Sequence, residues 1–258
     1  MRILLTNDDG IHAPGLACLE RIAHTMSDDV WTVAPASDQS GVAHSFSLSD
    51  PLRLRKISPR QFALKGTPTD CVIFGVKHLL KDHLPDLVLS GVNSGTNIAE
   101  DVTYSGTIAG AIEGTLLGIP SLALSLAYGA KGRDKVHWDC VEAHAPGIIA
   151  KILESGIPKD VLMNLNFPDC GPADIAGITV AVQGRRDAQY FKIEERADGR
   201  GIPYYWIAFT RNPQNPGHGT DLLAMVEKKI SITPLRINMT DEPTMTALAS
   251  LFDASPPA

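Results

Sequence analysis

The sequence predicts an α/β fold, a mostly parallel sheet flanked by helices, followed by a strand-rich C-terminal part that carries a β-hairpin. Three observations predict it. Short apolar runs bounded by turn residues recur through the first part of the chain, as in parallel strands buried on both faces. Between them lie stretches with apolar residues at i, i+3 and i+4, so helices alternate with strands. After residue 160 the alternation gives way to β-branched and aromatic runs. We therefore divide the chain at 1–160, the α/β core, and 161–258, a strand-rich part with a protruding hairpin and a closing helix that belongs to the same structural unit.

The first strand is Ile3-Leu4-Leu5, ending in Thr6-Asn7 and opening onto Asp8-Asp9-Gly10. Leu16, Leu19, Ile22, Ala23 and Met26 mark an amphipathic helix, and Val30 to Pro35 is the second strand. This β-α-β unit begins a Rossmann-like sheet. Ser45-Phe46-Ser47-Leu48, Leu52-Arg53-Leu54 and Gln61 to Leu64 alternate, which predicts a small antiparallel excursion. Thr67, Pro68 and Asp70 start a helix that runs through Leu80, with Thr67 as its cap. Pro85 to Ser90 is a buried strand. A helix rich in small residues follows Ser105, a strand covers Ile119 to Ser125, and a helix covers Trp138 to Leu153. Beyond 160 come strands at Val161 to Pro168, Ile178 to Val182, Tyr190 to Ile193, Tyr204 to Phe209 and Ile230 to Leu235, the middle pair turning at Ala197 to Gly201. Short helices are expected near Asp221 to Val226 and over Thr244 to Phe252, a Pro/Gly/Asn loop at Pro213 to Thr220, and a frayed end at Ser255 to Ala258.

Ligands of open α/β sheets bind beyond the carboxyl ends of the strands, so the loops there hold the candidate chemistry. Asp8-Asp9-Gly10 reads equally as a turn or as a cation site, because adjacent carboxylates need a cation or several donors to stay ionised together. The second loop offers the Ser40 hydroxyl, otherwise a Ser-Gly turn. The third, Gly91 to Asn97, offers the Asn93 and Asn97 amides to a cation or a phosphate. In the fourth, Ser105-Gly106-Thr107 opens a helix whose free N–H groups suit an anion, although the lysine of a Walker A loop is missing. His12, His44 and His218 read as surface histidines, and Arg185-Arg186 as a solvated pair.

The 258 residues are 44% hydrophobic and 20% charged, the composition of a soluble globular protein, without an apolar run of membrane-spanning length. Membrane association is not expected. The formal charge of −6 argues against a nucleic-acid polymer as partner. The opening residues lack the features of a secretory signal, so the expected location is cytoplasmic. Cys18, Cys71, Cys140 and Cys170 form no C-x-x-C and are expected to be reduced and buried.

The motifs TNDDG at 6–10, SG at 40–41, GTPTDCV at 66–72, SGVNSGTN at 90–97, YSGT at 104–107, GTD at 219–221 and ISITPL at 230–235 resemble, in order, those of the SurE family of survival-protein nucleotidases. The resemblance implies a metal-dependent phosphatase, a 5′-nucleotidase acting on nucleoside 5′- and 3′-monophosphates, with short polyphosphate as a further substrate in some members. It implies one divalent cation per subunit, Mg²⁺ or Mn²⁺, on Asp8, Asp9, Ser40 and Asn93, with Asp8 and Asp9 catalytic. Asn97, Ser105, Gly106 and Thr107 would bind phosphate. It also implies a homodimer or homotetramer built through C-terminal segments, which suits an exposed hairpin at 189–209. The family's Asp-Arg pair after the second strand is replaced here by Ala36-Ser37-Asp38-Gln39. A haloacid-dehalogenase phosphatase would need D-x-D-x-[TV], and an LmbE-type zinc deacetylase a His-Pro-x-Asp-Asp sequence; neither fits. The alternative from another class is a non-catalytic nucleotide sensor.

Overall fold

The computed structural model describes residues 1–129, 132, 136–186, 191–209 and 216–252. Tyr190, the loop residues 213–215 and the terminal 255–258 lie outside them. A nine-stranded sheet runs through the molecule. Its strands are β1 (Arg2–Thr6), β2 (Asp29–Pro35), β3 (Leu54–Ser58), β4 (Gln61–Leu64), β5 (Leu87–Ser94), β6 (Ser121–Leu126), β7 (Val161–Phe167), β8 (Gly177–Val180) and, after the hairpin strands β9 (Phe191–Ala197) and β10 (Pro203–Phe209), β11 (Lys229–Arg236). The order is β3-β4-β2-β1-β5-β6-β7-β11-β8. From β4 to β7 all neighbours are parallel; β3 against β4 and β11 against β7 are antiparallel. The hairpin β9-β10 forms a sheet of its own.

Burial on both faces explains the composition of the strands. Ile3, Leu4 and Leu5 are all fully buried, yet side chains alternate across a strand. Ile3 and Leu5 pack with α1 (Pro14–His24) and, through Leu16, Leu19 and Ile22, towards Val141, Ala145 and Ile149 of a later helix (Trp138–Ser155). Leu4 points the other way, onto Cys71, Val72 and Val76. Those residues belong to α2 (Pro68–Phe74) and the π-helical turn Gly75–Leu79 that prolongs it. The helix start is as expected: Thr67 and Asp70 form a reciprocal capping box, with Pro68 at the first helical position. Next come α3 (Gly106–Leu116), α4 (Trp138–Ser155), α5 (Asp221–Val226) and α6 (Glu242–Leu251).

Two expectations of the antiparallel excursion change: the strand expected at Leu52 to Leu54 runs over Leu54–Ser58, and another does not form. Ser45 to Leu48 forms no strand. Asp70 accepts the backbone N–H of Ser47 at 2.9 Å and its hydroxyl at 2.8 Å, while Thr67 donates to the Ser45 carbonyl at 2.8 Å. The segment is thereby drawn over the start of α2 instead of pairing with β3. The excursion is the β3-β4 hairpin alone, and β4 joins the main sheet beside β2.

Candidate active site at the carboxyl edge of the sheet

The six parallel strands, taken in chain order, lie in the sequence third, second, first, fourth, fifth, sixth. The chain leaves β1 towards β2 on one side and returns to the other side with β5. Helices on the two sides diverge at that point and leave a crevice beyond the carboxyl ends of β1 and β5. Asp8 and Asp9 follow one residue after β1, and Asn93 and Ser94 end β5, so the topology alone places these residues at the crevice. The last residues of β5 carry a register shift after Ser90 and a cis Gly91–Val92 peptide. Gly91 has φ +138° and a Cβ there would lie 2.3 Å from the Leu124 carbonyl oxygen, so only glycine fits.

Hydrogen bonds tie the other three loops to the Asp8-Asp9 turn. The Gln39 N–H donates to the Asp8 carbonyl at 2.8 Å and the Ile11 N–H to that of Pro35 at 2.8 Å, which seats the loop carrying Ser40. The Ser94 N–H donates to Asp9 Oδ2 at 3.2 Å, bringing Asn93 alongside. The Thr107 hydroxyl donates to Asp8 Oδ1 at 2.5 Å. Gly106 lies against the same carboxylate: a Cβ at Gly106 would come within 2.8 Å of Asp8 Cβ and 3.1 Å of its Oδ2. The absence of a side chain is what lets the start of α3 approach Asp8.

The electrostatics fit a cation. Burial, with the charge of Asp9 adding to it, outweighs the Thr107 hydrogen bond and pushes the Asp8 carboxyl up to about 6. Asp8 is 4% exposed. Buried polar atoms without protein partners collect at this edge, among them Asn7 Oδ1 and Ser94 Oγ, which is where a ligand or water completes a site. Oxygen donors from carboxylate, amide and hydroxyl groups suit a hard cation such as Mg²⁺ or Mn²⁺. Among the described residues no group of three or more His, Cys, Asp and Glu side chains is arranged to hold a metal; with two carboxylates, the remaining donors here are the neutral Ser40 and Asn93.

The expected phosphate residues fall into two kinds. Ser105 caps α3, accepting the Ile108 N–H at 3.1 Å, and the Thr107 hydroxyl is committed to Asp8, so what this turn presents is its first N–H groups, that of Thr107 shared with the Asp8 carboxylate. Asn97 is anchored to β6 and β7: one amide proton goes to Ser125 at 2.8 Å, its N–H to Asn166, and its carbonyl accepts from Asn164 at 2.7 Å and Asn166 at 3.2 Å. Asn164 and Asn166 are fully buried on one face of β7. Two asparagines at i and i+2 inside an apolar strand were a legible sign of such a network. His12, His44 and His218 are exposed, as expected; His44 pairs with Glu113 at 3.0 Å. Arg185 is exposed, but the reading of Arg186 as solvated is wrong: its side chain is 14% exposed and paired with Asp101 at 2.8 Å. Among the described residues no helix is long and apolar enough to cross a membrane.

Comparison with known proteins gives the family and agrees with the fold. The family profile described as Survival protein SurE matches residues 3–190. The 5′-nucleotidase SurE of Beijerinckia indica is 65% identical over 251 residues, covering 96% of this chain and 95% of that protein. The 5′-nucleotidase SurE of Methylobacterium radiotolerans is 64% identical over 252 residues, covering 98% and 99%. The crystal structure of SurE from Aquifex aeolicus superposes with a TM-score of 0.84 at 39% identity, covering 98% of this chain and 100% of that one. A family match over most of the chain and relatives near two-thirds identity on the same doubly wound sheet lead to one conclusion: the chain belongs to the SurE family.

Proposed function

We propose that the protein is a metal-dependent phosphomonoester hydrolase of nucleoside 5′-monophosphates, with the 3′-monophosphates and short polyphosphate as further substrates. The observation that carries this reading is the buried Asp8 held against the N-terminus of α3, with Asp9 beside it and Ser40 and Asn93 on loops tied to the same turn. Its relatives are named 5′-nucleotidases.

Asp8, Asp9, Ser40 and Asn93 are the residues that hold the cation, Mg²⁺ or Mn²⁺, one per subunit. When bound, it polarises a phosphoryl oxygen and lowers the pKa of water. The N–H groups of Gly106 and Thr107 take the remaining phosphoryl oxygens, aided by the helix dipole, and Ser105 keeps that turn in shape. Asn97 has a second amide proton for the same phosphate and anchors its loop through Asn164 and Asn166. Asp9 orients the water that attacks phosphorus in line with the departing nucleoside hydroxyl. Thr107 fixes the Asp8 carboxylate so that it enters the site in one orientation.

The assembly we propose is a homodimer or homotetramer through C-terminal segments. α6 buries none of its residues, leaving Leu248 and Leu251 exposed, and an apolar groove of about 820 Å³ lies open between Ile112, Leu116, Val180 and Leu235. We place the reaction in the cytoplasm.

The test is phosphate release from AMP and GMP, 5′ and 3′, by chelator-treated protein with and without Mn²⁺ or Mg²⁺. Activity restored by metal and abolished in Asp8→Asn supports the reading. Folded protein that binds nucleotide and releases no phosphate with either metal is instead the sensor.

A further inference from the structure

The segment between the third loop and the phosphate-binding turn is a 3-10 helix, Ala99–Thr103, and residues from the far end of the chain hold it. Ala99 sits in the left-handed region at φ +52°, unusual for a residue with a Cβ. Both of its backbone groups are tied down: its N–H donates to Asp221 Oδ2 at 2.9 Å and its carbonyl accepts from Gln183 Nε2 at 2.8 Å. Asp221 is fully buried and also takes the Gly184 N–H at 2.8 Å. Beside it, the Arg186 guanidinium donates to Asp101 Oδ2 at 2.8 Å and to the Ile98 carbonyl at 3.1 Å, and the Arg186 N–H lies 2.8 and 3.1 Å from the two Glu100 carboxylate oxygens.

Asp101 connects this clamp to the site. Its carbonyl accepts the N–H groups of Tyr104 and Ser105, each at 3.0 Å. Ser105 then caps α3, and Thr107 holds Asp8. A path of directly bonded groups therefore runs from Arg186 through Asp101 to the turn that presents its N–H groups at the crevice. We propose that Arg186 is a positioning residue for the phosphate-binding turn: paired with Asp101, it fixes where the first N–H groups of α3 stand relative to Asp8. This rests on the phosphate role given above to that turn.

The pair is built for such a task. Arg186 and Asp101 are 14% and 17% exposed, so the pair is shielded from solvent to a degree that a surface ion pair is not. The planar fork reaches a carboxylate and a carbonyl at once, which the single ammonium of lysine does not reproduce. Loss of Arg186 would leave a buried carboxyl uncompensated on the same residue whose carbonyl sets Ser105. Three of the four proposed cation ligands are seated without this path, Ser40 through Gln39, and Asp9 and Asn93 through Ser94, while Asp8 alone meets it, through Thr107.

That separation gives the test. Arg186→Met, Arg186→Lys and Asp101→Asn are compared with wild type for 5′-AMP hydrolysis, inhibition by inorganic phosphate, and Mn²⁺ binding by titration. Arg186→Met is expected to lower kcat/KM by about 10- to 100-fold, the scale set by misplacing a positioned group. Phosphate inhibition weakens with it, while Mn²⁺ affinity, which rests on three ligands off the path, changes by a much smaller factor. Arg186→Lys restores only part of the loss. Asp101→Asn gives the same pattern and carries the test if Arg186→Met does not fold. An Arg186→Met protein that hydrolyses AMP and binds phosphate like wild type overturns the inference, and so does a variant losing phosphate and Mn²⁺ affinity by the same factor. Wild-type protein without metal-dependent hydrolysis overturns the functional reading itself, a result distinguishable from either.

Discussion

The carboxyl edge at β1 and β5 and the hairpin β9-β10 break the same rule in opposite directions. At the edge the chain buries polar groups: Asp8 is 4% exposed beside Asp9, and Asn7 Oδ1 and Ser94 Oγ have no protein partner. On the hairpin it exposes apolar ones, Ile193 at 63%, Tyr205 at 59%, Trp206 at 57% and Ile207 at 70%. Each arrangement is costly for an isolated chain. The proposed function accounts for both: a cation and a phosphate would satisfy the first, and a second copy of the chain would cover the second. The difference lies in rigidity. The edge is held by three loops bonded to the Asp8-Asp9 turn, as a site for small charged groups must be, whereas the hairpin is a separate two-stranded sheet with apolar side chains in the open.

The largest effect is expected where the edge has no room. Gly106→Ala places a methyl group 2.8 Å from Asp8 Cβ and 3.2 Å from Pro68 Cγ. It should lower kcat/KM for 5′-AMP by about a hundredfold and cost about 1–3 kcal/mol in denaturant unfolding. Wild-type turnover in this variant would mean that the approach of α3 to Asp8 is not part of the chemistry. The hairpin should respond the other way. Trp206→Ser is expected to shift the oligomer towards smaller species in sedimentation while changing the stability of the subunit by less than about 0.5 kcal/mol. A large loss of subunit stability would show that the hairpin serves the fold rather than a partner.

Legibility in the sequence follows the range of the interactions. β1, the Thr67–Asp70 capping box and the Ser105 cap were readable because period and capping are local. The place of the Asp8-Asp9 turn was readable because ligands of such sheets bind past the strand ends, although the residues themselves left turn and cation site equally open. Ser45 to Leu48 misled because alternation is also local, while the Asp70 carboxylate that captures Ser47 lies 23 residues away. Arg186 was misjudged for the same reason: its partner Asp101 is 85 positions distant, and nothing near Arg186 marks it as buried. Asn164 and Asn166 carried a signal, yet their partner Asn97 is 67 and 69 residues away.

The central claim is that Asp8 is a buried carboxylate waiting for a cation, and melting temperature reads it directly. The folded chain holds the Asp8 proton up to about pH 6, whereas the unfolded chain releases it near 3.8. Metal-free protein should therefore lose stability as pH rises from about 4 to about 6, by about 3 kcal/mol in all, and stay at that lower level above it. Wild type and Asp8→Asn are melted without metal at pH 5 and 8, and again at pH 8 with Mn²⁺. The account predicts that metal-free Asp8→Asn melts several degrees above wild type at pH 8, that the gap narrows at pH 5, and that Mn²⁺ raises wild type alone. Equal melting of the two proteins at pH 8, or an equal rise of both with Mn²⁺, would contradict it.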